Sequence, residues 1–324
     1  MTTALYWHDD CLGHVTPMGH PERVARLEAI RAALADPAFD ALDRREAPLV
    51  ADADILRVHP QSHLDHILAS EPKVSLEEAI QSGNSASALH SLDADTHMVK
   101  GSVAAARRAA GACVAAVDAV MAGDVNNAFA AVRPPGHHAE KTTPMGFCLF
   151  GSVAIAAKRA LDHHGLARVA IMDFDVHHGN GTQDLLWAEE RCLFSSTHQM
   201  PLYPGSGHAN ETGAHGNVLN APLAPHTGGA EFRAVMEREV LPALDQFAPE
   251  MVIISAGFDA HKADPLANLN WDAADFAWAT EKLCDLADKH AGGRLVSSLE
   301  GGYDLDGLAE STAAHVKVLM ERGA

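Results

Sequence analysis

At 324 residues, 47% hydrophobic and 21% charged, the chain has an ordinary globular balance and is long enough to bury a large core. Its 43 acidic and 24 basic residues leave a net charge of −19, which excludes a surface that tracks nucleic-acid phosphates and suits a cationic substrate. No run reaches the ~18 consecutive apolar residues of a membrane span, and the opening MTTALYWHDD lacks the basic-then-apolar pattern of a signal peptide.

The five cysteines (Cys11, Cys113, Cys148, Cys192, Cys284) form no CxxC pair. An odd, dispersed set fits a reducing compartment, so the cytoplasm is the expected location. No repeat or linker divides the chain, and a single domain over residues 1–324 is expected. Histidine is abundant, at 21 residues, so only spacing and context can single one out.

Short apolar runs predict buried strands at Ala128–Val132, Arg168–Phe174, Cys192–Ser196, Met251–Ala256 and Arg294–Leu299. Ala-rich segments with helical spacing lie at Gly101–Met121, Ser152–His163, Ala230–Leu244 and Asp272–His290. Alternation of the two predicts a parallel α/β sheet covered on both faces. Ligands then belong beyond the carboxyl ends of the strands. Four of the runs lead into RPPGHHAE, DVHHGNG, FDAHKADP and GGYDL, the polar and Gly-rich composition an active-site rim requires.

In the segment Asp173-Phe174-Asp175-Val176-His177, extended backbone would aim Asp173, Asp175 and His177 to one face and Phe174 and Val176 into packing. DxDxH alone also describes a polar strand cap. Asp259, a second carboxylate closing an apolar run, shifts the balance toward a metal. Asp175, His177 and Asp259 make a one-nitrogen, two-carboxylate set with open positions, as catalytic zinc uses, and the set also suits iron(II), cobalt or manganese.

The tandem His137-His138, set after a stiff Pro-Pro-Gly turn, fits proton transfer at neutral pH. Asp173 and Asn180 are natural orienting partners, one for each ring. Tyr303, one of only three tyrosines, follows two glycines at the predicted rim, where its hydroxyl could stabilise an oxyanion; packing against the helix layer is the plainer alternative.

These motifs resemble the zinc-dependent histone deacetylase superfamily, including its bacterial deacetylase-like and acetylpolyamine amidohydrolase members. RPPGHH, GFC, DFDVHHGNGTQ, SAGFDA with the following DPL, and LEGGY stand in the family's order, with looser similarity from His20-Pro21-Glu22 to about Gly307. The resemblance implies the arginase–deacetylase fold, a single domain with a parallel sheet of about eight strands, and a metal-dependent amidohydrolase. It makes Asp175, His177 and Asp259 the zinc ligands and His137 and His138 the acid–base pair, with Asp173 behind His137 and Asn180 behind His138. Asparagine at 180 is similar to class II members, where class I members carry aspartate. Tyr303 takes the transition-state position, Phe147 and Tyr203 the walls of the substrate tunnel, and Gly146 the carbonyl that meets the substrate amide. A structural monovalent cation, potassium, is implied at Asp173, His177 and Ser196.

For the substrate, the resemblance leaves acetylated lysine and acetylated polyamines. In vertebrate polyamine-selective relatives a glutamate follows the Asp-Pro pair; here Asp264-Pro265 is followed by Leu266. An acetyl-lysine-type substrate is therefore favoured; Asp93 and Asp95 are expected to be solvated loop acids, with charge near the substrate mouth as the alternative. A catalytically idle acyl-lysine binding module would have no use for intact ligands, both histidines and Tyr303. A binuclear hydrolase of the arginase type would need a second, bridging ligand set.

Overall fold

The structure is a computed structural model describing residues 2–323. Ten strands occur in chain order: β1 (Thr3–Trp7), β2 (Asp43–Glu46), β3 (His90–Ser91), β4 (His97–Met98), β5 (Asn127–Ala130), β6 (Val169–Asp173), β7 (Cys192–Gln199), β8 (Val218–Leu223), β9 (Met251–Ala256) and β10 (Leu295–Leu299). Eight of them form one sheet in the order β2-β1-β5-β10-β9-β6-β7-β8, and every pairing is parallel. β3 and β4 form a separate antiparallel hairpin.

The helices that frame the site are α1 (Ala25–Ala33), α2 (Ser102–Ala122), α3 (Ser152–Asp162), α4 (Asn180–Leu186), α5 (Ala273–His290) and α6 (Leu305–Gly323). α1, α5 and α6 pack as one layer, while α2, α3 and α4 cover the opposite face. Central strands such as VAIMD and MVIISA are buried on both faces, which is why they appear as unbroken apolar runs rather than alternating ones.

The five expected strands are all present, shifted by a few residues at their ends, and the four expected helical regions hold. Residues 230–244 depart in detail. Gly229–Val235 is α-helical, Met236–Val240 widens to a π-turn, and a further helix follows over Leu241–Phe247. Pro242 there has no N–H to give to a tighter turn. β1, β2 and β8 complete the eight strands. The central neighbours β5, β10, β9 and β6 are the four that end in the polar motifs, so the sheet order gathers those motifs at one place.

Candidate active site

β6 stops at Asp173, and the chain bends through residues 175–177. The carboxylates drive the bend: the N–H of Asp175 donates to Asp173 Oδ1 (3.1 Å), and that of His177 to Asp175 Oδ1 (2.8 Å). Asp173, Asp175 and His177 therefore converge through turns their own side chains cap, not through strand alternation. Phe174 and Val176 are fully buried, as expected.

Asp259, beyond β9, completes the group. His177 Nδ1 lies 3.2 Å from Asp175 Oδ1 and 3.1 Å from Asp259 Oδ2, and one ligand atom from each residue falls within 4.8 Å of the others. Neither aspartate has any exposed surface, and no Lys or Arg pairs with them. Burial disfavours charge on His177, yet the flanking carboxylates of Asp175 and Asp259 raise its pKa to about 10, a measure of the negative charge gathered in this pocket. The backbone leaves room for one: a Cβ at Gly301 would run into Asp259, and one at Gly257 into Asp175. A divalent ion fits this donor set.

The two histidines sit beside it with ring centroids 3.9 Å apart. His137 Nδ1 is 3.0 Å from Asp173 Oδ2 and His138 Nδ1 is 2.7 Å from Asn180 Oδ1, so each ring has the partner expected for it. Burial opposes charge on His137, but the carboxylates of Asp175 and Asp173 hold its pKa well above the usual histidine range. Burial and the imidazoles of His137 and His177 push His138 well below it. The two adjacent rings are thus pushed in opposite directions, His137 upward by carboxylates and His138 downward by burial and by its imidazole neighbours.

A cavity of about 360 Å³ opens above this group. Gly146, Phe147, Tyr203, Leu266, His177 and Tyr303 all line it, as the tunnel expectation requires. Tyr203 stands edge-on to His138 (5.2 Å) and Phe147 edge-on to Tyr303 (5.9 Å). Gly146 lies directly under the His138 ring, where any Cβ would collide. The Tyr303 N–H donates to Asp264 Oδ2 at 2.7 Å, so the Asp-Pro-Leu segment also fixes the tyrosine. Ser196 is the register partner of Asp173 across β6–β7, and its hydroxyl meets His198 Nδ1 at 2.9 Å.

Several contributors carry no sequence signal that isolates them. His20, Pro21, His97 and Leu202 line the cavity. Asp93 is exposed as expected, whereas Asp95 is half-buried at the cavity mouth. Glu300 is fully buried and accepts from the N–H groups of Gly136 (2.7 Å) and His137 (3.1 Å). Behind it, Glu22 pairs with Arg133 (2.6 Å) and Arg26 (3.2 Å), and Arg26 lies over the Tyr303 ring at 4.8 Å. Arg133 opening RPPGHH and the acid of His-Pro-Glu were the available hints. Among the described residues one other His/Asp group is close enough to hold a metal, Asp118 with His163 and His164. It precedes β6 in the chain, at the amino ends of the strands, and supplies no bridging set.

All five cysteines are free and buried, and among the described residues no helix is long and apolar enough to cross a membrane.

The histone deacetylase domain profile matches residues 20–319. An uncharacterized protein of Synechocystis, slr0245, is 40% identical over 98% of this chain and 99% of its own length. A histone deacetylase-like amidohydrolase of Pseudomonas aeruginosa is 41% identical over 81% of this chain and 66% of its own. Among solved structures, the HDA15 HD domain superposes with a TM-score of 0.90 at 34% identity, covering 99% of this chain and 88% of that one. The chain belongs to the histone deacetylase family and is a hydrolytic deacetylase with its arginase–deacetylase fold.

Proposed function

We propose that the chain hydrolyses the N-acyl, chiefly N-acetyl, amide of an amine on an uncharged alkyl stem, with acetylated lysine as the favoured substrate. The observation that carries this reading is the convergence of Asp175, His177 and Asp259 with the two differently partnered histidines at the floor of a cavity that Tyr303 lines. A divalent ion held by those three residues, zinc or else iron(II) or cobalt, would supply Lewis acidity to the acyl carbonyl and to the attacking water.

His138 Nδ1 is taken up by Asn180, which leaves Nε2 to accept the proton of the attacking water and hand it to the departing nitrogen. His137, paired with Asp173 at 3.0 Å, would in its protonated form balance the negative charge that develops as water adds. Tyr303 donates its hydroxyl to the carbonyl oxygen, and the Gly146 carbonyl accepts from the substrate amide. Phe147 and Tyr203 flank the alkyl stem. Asp173, His177 and Ser196 would hold a potassium ion, whose charge would steady the Asp173 carboxylate. We read residues 1–324 as one catalytic domain and place it in the cytoplasm, where five free thiols persist.

Leu266 at the cavity wall favours acetyl-lysine over acetylpolyamine, since no carboxylate stands there to meet a distant ammonium. Asp95 at the mouth supports the second reading, a small cationic acyl-amine. The zinc-loaded protein should be assayed side by side on a fluorogenic acetyl-lysine peptide and on N-acetylputrescine. Peptide turnover is expected, and Tyr303→Phe should lower kcat by roughly 10²–10³. Turnover of acetylputrescine alone would overturn the argument from Leu266, and near-normal turnover by Tyr303→Phe would remove the tyrosine's role.

A further inference from the structure

Phe147 has φ +69°, and Gly146 before it has φ +55°. Two consecutive residues are therefore left-handed, and for a bulky side chain this region is sterically disfavoured. Such backbone persists only where its surroundings over-determine it, and it clusters at ligand clamps. The surroundings here are specific. The Phe147 N–H donates to Thr96 Oγ1 at 3.1 Å, and the Cys148 thiol donates to the Gly146 carbonyl at 3.2 Å.

Thr96 comes from a distant part of the chain, the turn of the β3–β4 hairpin, and is fully buried. The hairpin presents it rigidly. Its N–H donates to Asp93 Oδ1 (2.6 Å) and its carbonyl accepts from Leu92 N (2.8 Å). Its hydroxyl has an acceptor in Asp95 Oδ1 at 3.4 Å, which leaves an oxygen lone pair for the Phe147 amide. His20 closes the arrangement, with its ring edge-on to Phe147 at 4.8 Å and Nε2 at 2.9 Å from the Asp95 carbonyl.

We propose that Thr96 is a positioning residue that holds Phe147 in the left-handed conformation and thereby sets the width of the acyl-amine cavity. This rests on the reading of Phe147 as a cavity wall. Without the hydroxyl, the Phe147 N–H loses its acceptor, the peptide relaxes toward negative φ, and the ring leaves its place in the cavity wall. The histidines keep their partners Asp173 and Asn180 and the Tyr303 N–H keeps Asp264, while Phe147 meets Tyr303 only edge-on at 5.9 Å, so the loss falls chiefly on binding.

The test compares Thr96→Val, which keeps the shape and removes the hydroxyl, with Thr96→Ser, which keeps the hydroxyl, and with Phe147→Ala. Each is assayed on the acetyl-lysine peptide, and deuterium uptake is followed over residues 145–149. Thr96→Val should raise KM about five- to tenfold, the worth of one net hydrogen bond, with kcat within twofold of wild type and faster exchange at Phe147. Thr96→Ser should restore both. Unchanged exchange and KM in Thr96→Val, or a fall in kcat alone, would overturn the proposal. If exchange rises as expected but Phe147→Ala leaves KM unchanged, Thr96 holds Phe147 yet Phe147 is no wall, and the claim about cavity width falls.

Discussion

Asp173 and Asn180 stand behind two adjacent imidazoles at similar distances and differ by one charge. Burial and the neighbouring His137 and His177 rings push His138 well below the ordinary histidine range, and Asn180 counters them only with a neutral oxygen. A carboxylate at position 180 would favour the protonated ring. If His138 must be neutral to accept a proton, raising its pKa moves the acid limb of kcat/KM to higher pH. Asn180→Asp should therefore shift that limb upward by roughly one unit or more, as measured by pH–rate profiles on the acetyl-lysine peptide. An unmoved limb would mean that His138 is not the group whose deprotonation it reports. These partners were legible in the sequence because each belongs to a short motif at a strand end. Thr96 was not, since its work is done across 51 residues of separation and nothing local marks it, and Glu22, acting across 111 residues, had only the short His-Pro-Glu hint.

At the scale of elements, the sequence was most legible where burial was most complete. β6, β9 and β10 are buried on both faces and could be read from their mostly apolar composition. β2, with the sequence DRRE and alternating burial, is an edge strand that carries charge because one side faces solvent. β8 lies at the other edge and contains Pro222, which edge positions tolerate. Neither had an apolar run to announce it. The long helix α2 was legible, but the tightness of its packing was not. It presses against the segment at residues 47–50 so closely that a Cβ at Gly111 would run into the Pro48 carbonyl and lie 2.9 Å from the Val50 amide nitrogen. Alanine is worth about 1 kcal/mol more than glycine in a helix interior, so on propensity alone Gly111→Ala would stabilise. Overpacking against backbone costs about 1–3 kcal/mol or more and should win, lowering the melting temperature by several degrees without touching the site. A melting temperature at or above that of wild type would show that the 47–50 segment yields.

The molecule as a whole ties its layers together through buried polar groups that titrate far from their ordinary values, and these set its response to acid. His315 on α6 is the cleanest case. Its Nδ1 meets Thr280 Oγ1 on α5 at 2.7 Å and its Nε2 meets Ser297 Oγ on β10 at 2.9 Å, so one ring joins two helices of a layer to the sheet beneath. Phe129 and Phe258 surround it at 5.4 and 5.7 Å, and burial alone pushes its pKa down to about 3. In the unfolded chain the same ring takes up a proton near pH 6.5, so the folded state loses relative stability as pH falls from 6.5 toward 3, about tenfold in the folding equilibrium per pH unit. Other groups oppose this: burial raises Asp264 and Glu300 to about 7, and acid relieves their cost. The net curve for the wild type therefore does not isolate His315, but a difference does. His315→Gln keeps a neutral hydrogen-bonding group and should be destabilised at pH 7.5, where the buried neutral histidine serves best. Because the variant has no ring to protonate on unfolding, its deficit should shrink by about 2 kcal/mol between pH 6.5 and 5. Urea midpoints of the two proteins across that range measure the difference, and a constant gap would mean that His315 is able to take up a proton in the folded core.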